Sequence, residues 1–297
     1  MDHAICLVGA TLTQPKIDSL VAALADQGLT LTGSRWLNQA KALDLYLDLA
    51  PAEAQRLTAL VRRALPSIDV AVLPIAGRAK ALLVADMDST LVVGETIVEM
   101  ARAHEQAGVE AEVARLTDLA MRGRLDFTAA LMDRLALLRG LPVAAVEEIG
   151  RTLKLMPGAE ILCKTMAVQG ARLVVVSGGF SAASAVLAQR LGLHNHVANQ
   201  LVHVDGVLTG GLGLPLVDGA YKREVLLQEC AGLGLRRDQA LAIGDGANDS
   251  ALVSAAGLGL AFYGKPVLQN VAAAAINHGD LTTALYFQGY AADQFAT

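Results

Sequence analysis

Ala81-Leu82-Leu83-Val84-Ala85-Asp86-Met87-Asp88-Ser89-Thr90 is the stretch on which the reading of the chain turns. Five apolar residues in a row read as a strand buried on both faces, and the two acids after them fall where such a strand gives way to a loop. In an open α/β sheet that edge is where ligands sit. An Asp-x-Asp at a strand end also makes an ordinary turn with a helix cap, so its meaning depends on what else reaches the same edge.

Three later signals do so. Ser177-Gly178-Gly179 follows the apolar run Leu173 to Val176, Lys222 lies further on, and Gly244-Asp245-Gly246-Ala247-Asn248-Asp249 follows Ala240 to Ile243. With Leu258 to Phe262, these runs alternate with helical patterns, as expected of an α/β fold whose Rossmann-like parallel sheet is covered on both faces. All strand carboxyl ends of such a sheet share one edge, so residues scattered from 86 to 249 can meet there. Each signal alone has a plainer meaning: a strand-to-helix turn, a solvated lysine, a turn with an Asx cap. Together they supply what phosphoryl transfer requires. A carboxylate can attack phosphorus, a second acid can protonate the leaving oxygen, Ser and Lys can hold phosphate oxygens, and acidic oxygens can hold Mg²⁺.

Upstream, residues 1–75 follow a different pattern. Ala4 to Val8 is a short apolar strand; Ile17, Leu20, Val21 and Leu24 recur at helical spacing behind Thr13 and Pro15, with Gly28 as the stop. Leu43, Leu45, Leu47 and Leu49 alternate with Asp44, Tyr46 and Asp48, the period of a half-buried antiparallel strand. A second helix carries Leu57, Leu60, Val61, Ala64 and Leu65, and Ile68 to Leu73 closes a ferredoxin-like βαββαβ α+β unit. Pro74 to Lys80 reads as a linker into a second domain, 76–297. Between its first two strands the pattern from Glu95 to Gln169 is helical and too long for a simple crossover, which predicts an inserted helical cap at about 95–155. A hairpin is signalled by Leu201 to Val204, Asp205-Gly206 and Val207 to Thr209. Within the cap, Phe127, Leu131, Arg134 and Leu138 recur on one helical face, so Arg134 interrupts an apolar stripe and needs an anionic partner. A cap carboxylate such as Glu99 or Asp133 could be that partner.

Bulk properties narrow the field. Twenty-four basic and 29 acidic residues give a net charge of −5, so nucleic acid and anionic membrane are not expected partners. The three cysteines, Cys6, Cys163 and Cys230, suit reduced thiols of a cytoplasmic protein. Met1-Asp2-His3 begins no basic and apolar leader, so export is unsupported, and the longest uncharged stretch, between Arg172 and Arg190, is broken by Ser177, Gly178, Gly179, Ser181 and Ser184.

From Lys80 to about Gly289 the chain resembles the haloacid dehalogenase-like phosphatases, and within them the phosphoserine phosphatases. The resemblance is carried by Asp86 to Val92, Gly244 to Asp249 and Met121-Arg122-Gly123-Arg124-Leu125-Asp126-Phe127. It implies hydrolysis of O-phospho-L-serine, the last step of serine synthesis, with Asp86 as nucleophile through an aspartyl-phosphate and Asp88 as general acid and then base. It implies Mg²⁺ held by the Asp86 carboxylate, the Asp88 carbonyl and Asp245. Ser177, Gly178 and Lys222 would hold the phosphoryl group, with Asn248 and Asp249 in support. Glu95 would take the substrate ammonium, Arg134 its carboxylate, and Met121 and Phe127 would close over it. The chain departs from the usual pattern at Ala130, Leu135 and Ser250-Ala251-Leu252, which read as packing positions. The first module resembles an ACT-like regulatory domain, which implies a homodimer paired through that module and binding of an amino-acid effector. Two alternatives stay open: a phosphatase or phosphotransferase for another small phosphorylated amino acid, such as phosphohomoserine or phosphothreonine, and a catalytically silent amino-acid sensor.

Overall fold

The computed structural model describes residues 2–50, 53–104, 106–121 and 124–296, with only the backbone of Gln55, Met121 and Phe127. Its first part runs β1 (His3–Val8), α1 (Gln14–Ala25), β2 (Leu31–Asn38), β3 (Ala42–Leu47), α2 (Ala54–Ala64) and β4 (Asp69–Pro74). The strands form one antiparallel sheet in the order β2-β3-β1-β4, the ferredoxin-like arrangement. Alternation along β1 explains its continuous burial. Ile5 and Leu7 pack with Leu20, Leu24, Leu57 and Val61 of the two helices, whereas Cys6 and Val8 join the core that contains Leu285, Tyr286 and Phe287 from the other end of the chain.

That second contact overturns the half-buried reading of the strand around Leu43 to Leu49. The polar face of β3 is covered, and Asp44 is only 1% exposed. Its charge is met from the segment expected to be a linker. Arg78, itself buried, donates to both Asp44 oxygens at 2.6 and 2.9 Å and to the carbonyls of Phe287 and Tyr286 at 2.7 and 3.0 Å. A second tie runs the other way: the Asp69 carboxylate accepts backbone N–H groups of Asn277, His278 and Gly279.

The remainder runs β5 (Leu82–Ala85), α3 (Thr96–Arg102), α4 (Val109–Met121), α5 (Phe127–Leu137), α6 (Val143–Thr152), α7 (Ala159–Val168), β6 (Arg172–Phe180), α8 (Ser181–Leu191), β7 (Asn195–Asn199), β8 (Leu201–Val204), β9 (Val207–Leu212), α9 (Gly219–Gly232), β10 (Ala240–Gly244), α10 (Ser250–Ala255), β11 (Leu258–Phe262), α11 (Pro266–Gln269), β12 (Ala274–Ile276) and α12 (Thr283–Phe287). Six strands make a parallel sheet in the order β12-β11-β10-β5-β6-β7, so β5 sits between β10 and β6. The strand over Leu173 to Val176 extends further than its apolar run: Ser177 to Phe180 continue it, with an irregularity in pairing to β7. The signalled hairpin, β8–β9, stands apart from the large sheet. It seals the segment between α5 and α6 through hydrogen bonds linking Gly140, Leu141 and Val143 to Gly206 and Leu208. Among the described residues no helix is long and apolar enough to cross a membrane.

Removing one partner of a buried, hydrogen-bonded ion pair strands the other charge, at a cost of about 3–5 kcal/mol. Arg78→Ala is therefore expected to lower the urea midpoint of unfolding markedly, whereas Arg236→Ala, which breaks the exposed pair with Asp238, leaves it unchanged.

Candidate active site

The order β10-β5-β6 brings three sequence signals side by side. Asp86 follows β5, Asp245 follows β10, and Ser177-Gly178-Gly179 occupies the end of β6, all at the carboxyl edge of the parallel sheet. Asp86, Asp245 and Asp249 each present a carboxylate oxygen, and these lie within 4.8 Å of one another. Asp86, Asp88, Asp245, Asn248 and Ser177 to Gly179 line one cavity together with Glu95, and Ile97, Ala120, Leu131 and Arg134 face them from the helices inserted after β5.

Lys222 organises the floor. It lies in the first turns of α9, which Asp218 caps by accepting from the Tyr221 N–H, and it is completely buried. Its ammonium lies 2.9 Å from Asp86 Oδ1 and donates to Asp249 Oδ1 at 2.7 Å. It thus joins Asp86, which lines the cavity, to Asp249. Burial disfavours the ammonium, but the Asp249 and Asp86 carboxylates outweigh that and raise its pKa. Asp249 spends its other oxygen on the N–H groups of Asp245 and Gly246, both at 3.1 Å. This fold-back needs Gly244, where a Cβ would come within 2.4 Å of the Asp249 side chain.

The acids divide by their partners. Asp86 Oδ1 also accepts the Met87 N–H at 2.7 Å, yet burial and the Asp249 charge push its carboxyl up to about 7 despite Lys222. Asp88 Oδ1 accepts both the N–H, at 2.9 Å, and the hydroxyl of Thr96. Burial and the Glu95 charge push Asp88 up to about 7 as well, against the Thr96 hydrogen bonds. Its other oxygen faces Gly179, where a Cβ would lie 2.9 Å away, so the second glycine of the β6 signal keeps this side of Asp88 open. Asp245 has no donor to its carboxylate among the described residues. Burial, then Asp86 and Asp249, raise it to about 8. Such an unmet, oxygen-only donor set suits a hard divalent cation, with Asp86 and Asp245 free to ligate it while Asp249 is already satisfied.

The remaining expected residues are accounted for individually. Glu95 accepts the Ser89 hydroxyl at 2.8 Å, and burial raises its pKa. Arg134, 5% exposed, donates through Nε to the Ala130 carbonyl and through NH1 to the Thr117 hydroxyl. Among the described residues it pairs with neither Glu99 nor Asp133; Glu99 binds Arg102 instead. Burial lowers its pKa, opposed by Glu95 and Asp88. The side chains of Met121 and Phe127 lie outside the described residues. Three contributors escaped the sequence reading. Thr96 holds Asp88, Thr117 holds Arg134, and the buried Asn199 ties the Gly178 carbonyl to the Val217 N–H at 2.8 Å each. Thr96 alone left a signal, its position just behind Glu95; the other two carry side chains common on any surface.

The haloacid dehalogenase-like hydrolase family matches residues 83–254. A phosphoserine phosphatase of Mycobacterium tuberculosis is 38% identical over 293 residues, 97% of this chain and 71% of its own. The phosphoserine phosphatase of Saccharomyces cerevisiae is 34% identical over 297 residues, 96% of this chain and 95% of its own. A solved phospho-aspartyl intermediate analogue of phosphoserine phosphatase superposes with a TM-score of 0.66 at 39% identity, covering 70% of this chain and 99% of that one. With its acids, lysine and Ser-Gly-Gly turn gathered on one sheet edge, the chain belongs to the haloacid dehalogenase-like hydrolases and, within them, to the phosphoserine phosphatase family.

Proposed function

We propose that this protein hydrolyses O-phospho-L-serine to serine and phosphate, the final step of serine synthesis. The observation that carries the reading is the meeting of Asp86, Asp88 and Asp245 in one cavity that Glu95 and Arg134 also line. An Asp86 oxygen attacks phosphorus while the P–O bond to the seryl oxygen breaks, and Asp88, protonated in its raised pKa range, delivers its proton to that oxygen. Water then attacks the phosphorus of the aspartyl-phosphate, Asp88 takes a proton from it, and phosphate leaves with the Asp86 carboxylate restored. Lys222, Ser177 and the Gly178 backbone hold and neutralise the phosphoryl oxygens, with Asn248 and Asp249 in support, and the Lys222 ammonium also stabilises Asp86.

The Asp86 and Asp245 carboxylates and the Asp88 carbonyl hold Mg²⁺ in this reading. When bound, it supplies positive charge against the phosphoryl oxygens. Arg134 takes the substrate carboxylate and Glu95 its ammonium, with Met121 and Phe127 closing the apolar side. Residues 1–75 are an ACT-like module that binds an amino-acid effector, and residues 76–297 the catalytic domain with its cap at about 95–155. The edge strand β2, half exposed and paired among the described residues with β3 alone, is suited to joining two copies through that module. The three cysteines, buried and free, support a cytoplasmic site of action.

Asp86→Asn is expected to reduce phosphate release at least about a thousandfold with an unchanged circular dichroism spectrum; retained turnover would refute the nucleophile. Excess chelator is expected to abolish release and added Mg²⁺ to restore it, with Asp245→Asn weakening Mg²⁺ binding in a calorimetric titration. Arg134→Ala is expected to raise KM for phosphoserine far more than for 2-aminoethyl phosphate, which lacks the carboxylate. Equal effects on both esters would remove Arg134 from substrate recognition.

A further inference from the structure

Glu95 and Arg134 carry opposite charges, face the same cavity and interact electrostatically, yet among the described residues they form no ion pair. In a poorly solvated pocket each such charge is fixed by its hydrogen-bond partner. On the acid side it is Ser89, whose hydroxyl donates to Glu95 Oε1. On the arginine side two bonds fix the guanidinium plane. Nε donates to Ala130 within the same helix, and NH1 donates at 3.0 Å to Thr117 Oγ1 on the neighbouring helix α4.

Thr117 is suited to this role by its own bonding. Buried, it donates its hydroxyl proton to the Val113 carbonyl at 2.8 Å, so its oxygen is left to accept. A guanidinium can only donate, so the two match. The remaining N–H groups of Arg134 have no acceptor among the described residues and belong to a side chain that lines the cavity.

We propose that Thr117 is a specificity-determining positioning residue: by fixing the plane of the Arg134 guanidinium it presents that side chain to the carboxylate of a zwitterionic phosphate ester whose ammonium goes to Glu95. This rests on the roles given to Arg134 and Glu95 above. Without the Thr117 oxygen the guanidinium keeps only its Nε bond to Ala130, and the substrate carboxylate loses a partner whose direction is fixed in advance.

The test compares the full-length wild type with Thr117→Val, Thr117→Ser and Arg134→Ala, on phosphoserine and on 2-aminoethyl phosphate. Thr117→Val is expected to raise KM for phosphoserine about tenfold, the scale of one lost hydrogen bond to a charged group, with kcat within about twofold. KM for 2-aminoethyl phosphate is expected to stay unchanged, and Thr117→Ser to restore the phosphoserine value. Thr117→Ala gives the same readout should the valine variant not fold. Wild-type KM for phosphoserine in the valine or alanine variant, or an equal rise on both esters, would overturn the proposal. If Arg134→Ala itself fails to separate the two esters, the recognition roles fail first; if it separates them and Thr117→Val does not, this inference alone falls.

Discussion

One buried ammonium makes the site possible. Asp86, Asp88, Glu95 and Asp245 crowd a small cavity, and Asp249 lies just beneath, a concentration of negative charge that a protein interior resists. Lys222, with no contact to solvent, lies between Asp86 and Asp249 and offsets part of it. The rest follows from that position. Asp249 must fold back to meet the lysine, which requires a residue without a side chain at Gly244 and makes the carboxylate a receptor for two backbone N–H groups. The loop after β10 is thereby fixed, and with it Asp245.

The charge left over has a direction. Lys222 offsets part of the charge of Asp86 and Asp249, and Asp88, Glu95 and Asp245 leave the floor electronegative. A dianionic phosphate would be repelled there without a further cation, whereas Arg134 lines the same cavity. In the proposed reading the pocket is therefore divided into a part where a metal offsets the acids toward phosphate and a part that selects the rest of the molecule by its own fixed charges. In that reading reactivity and recognition come from different elements, the strand ends of the sheet and the inserted helices.

What the sequence disclosed depended on distance along the chain. The central strands were legible because parallel strands buried on both faces read as unbroken apolar runs, and Asp86, Asp88 and Asp245 because they stand directly behind such runs. Strand β2 was not named: half of Leu31–Asn38 is exposed, and its pairing with β3 is interrupted twice. The wet face assigned to β3 was wrong because its cover arrives from residues 283–287, which no local period can announce. Arg78 in the supposed linker was missed for the same reason. Arg134 could be flagged as a charge on an apolar stripe, but Thr117 and Asn199 are small polar groups whose importance lies wholly in a partner distant in sequence.

The seam between the two sheets is built from main-chain groups as much as from side chains. Asp69 gathers three amide groups just after β12, and Arg78 gathers two carbonyls from α12, so the last segment of the catalytic sheet is anchored by the first 80 residues. Such anchoring couples the unfolding of the two sheets into one cooperative event instead of two independent ones. In the proposed reading, an effector bound by the first module would act on the larger sheet through these shared hydrogen bonds.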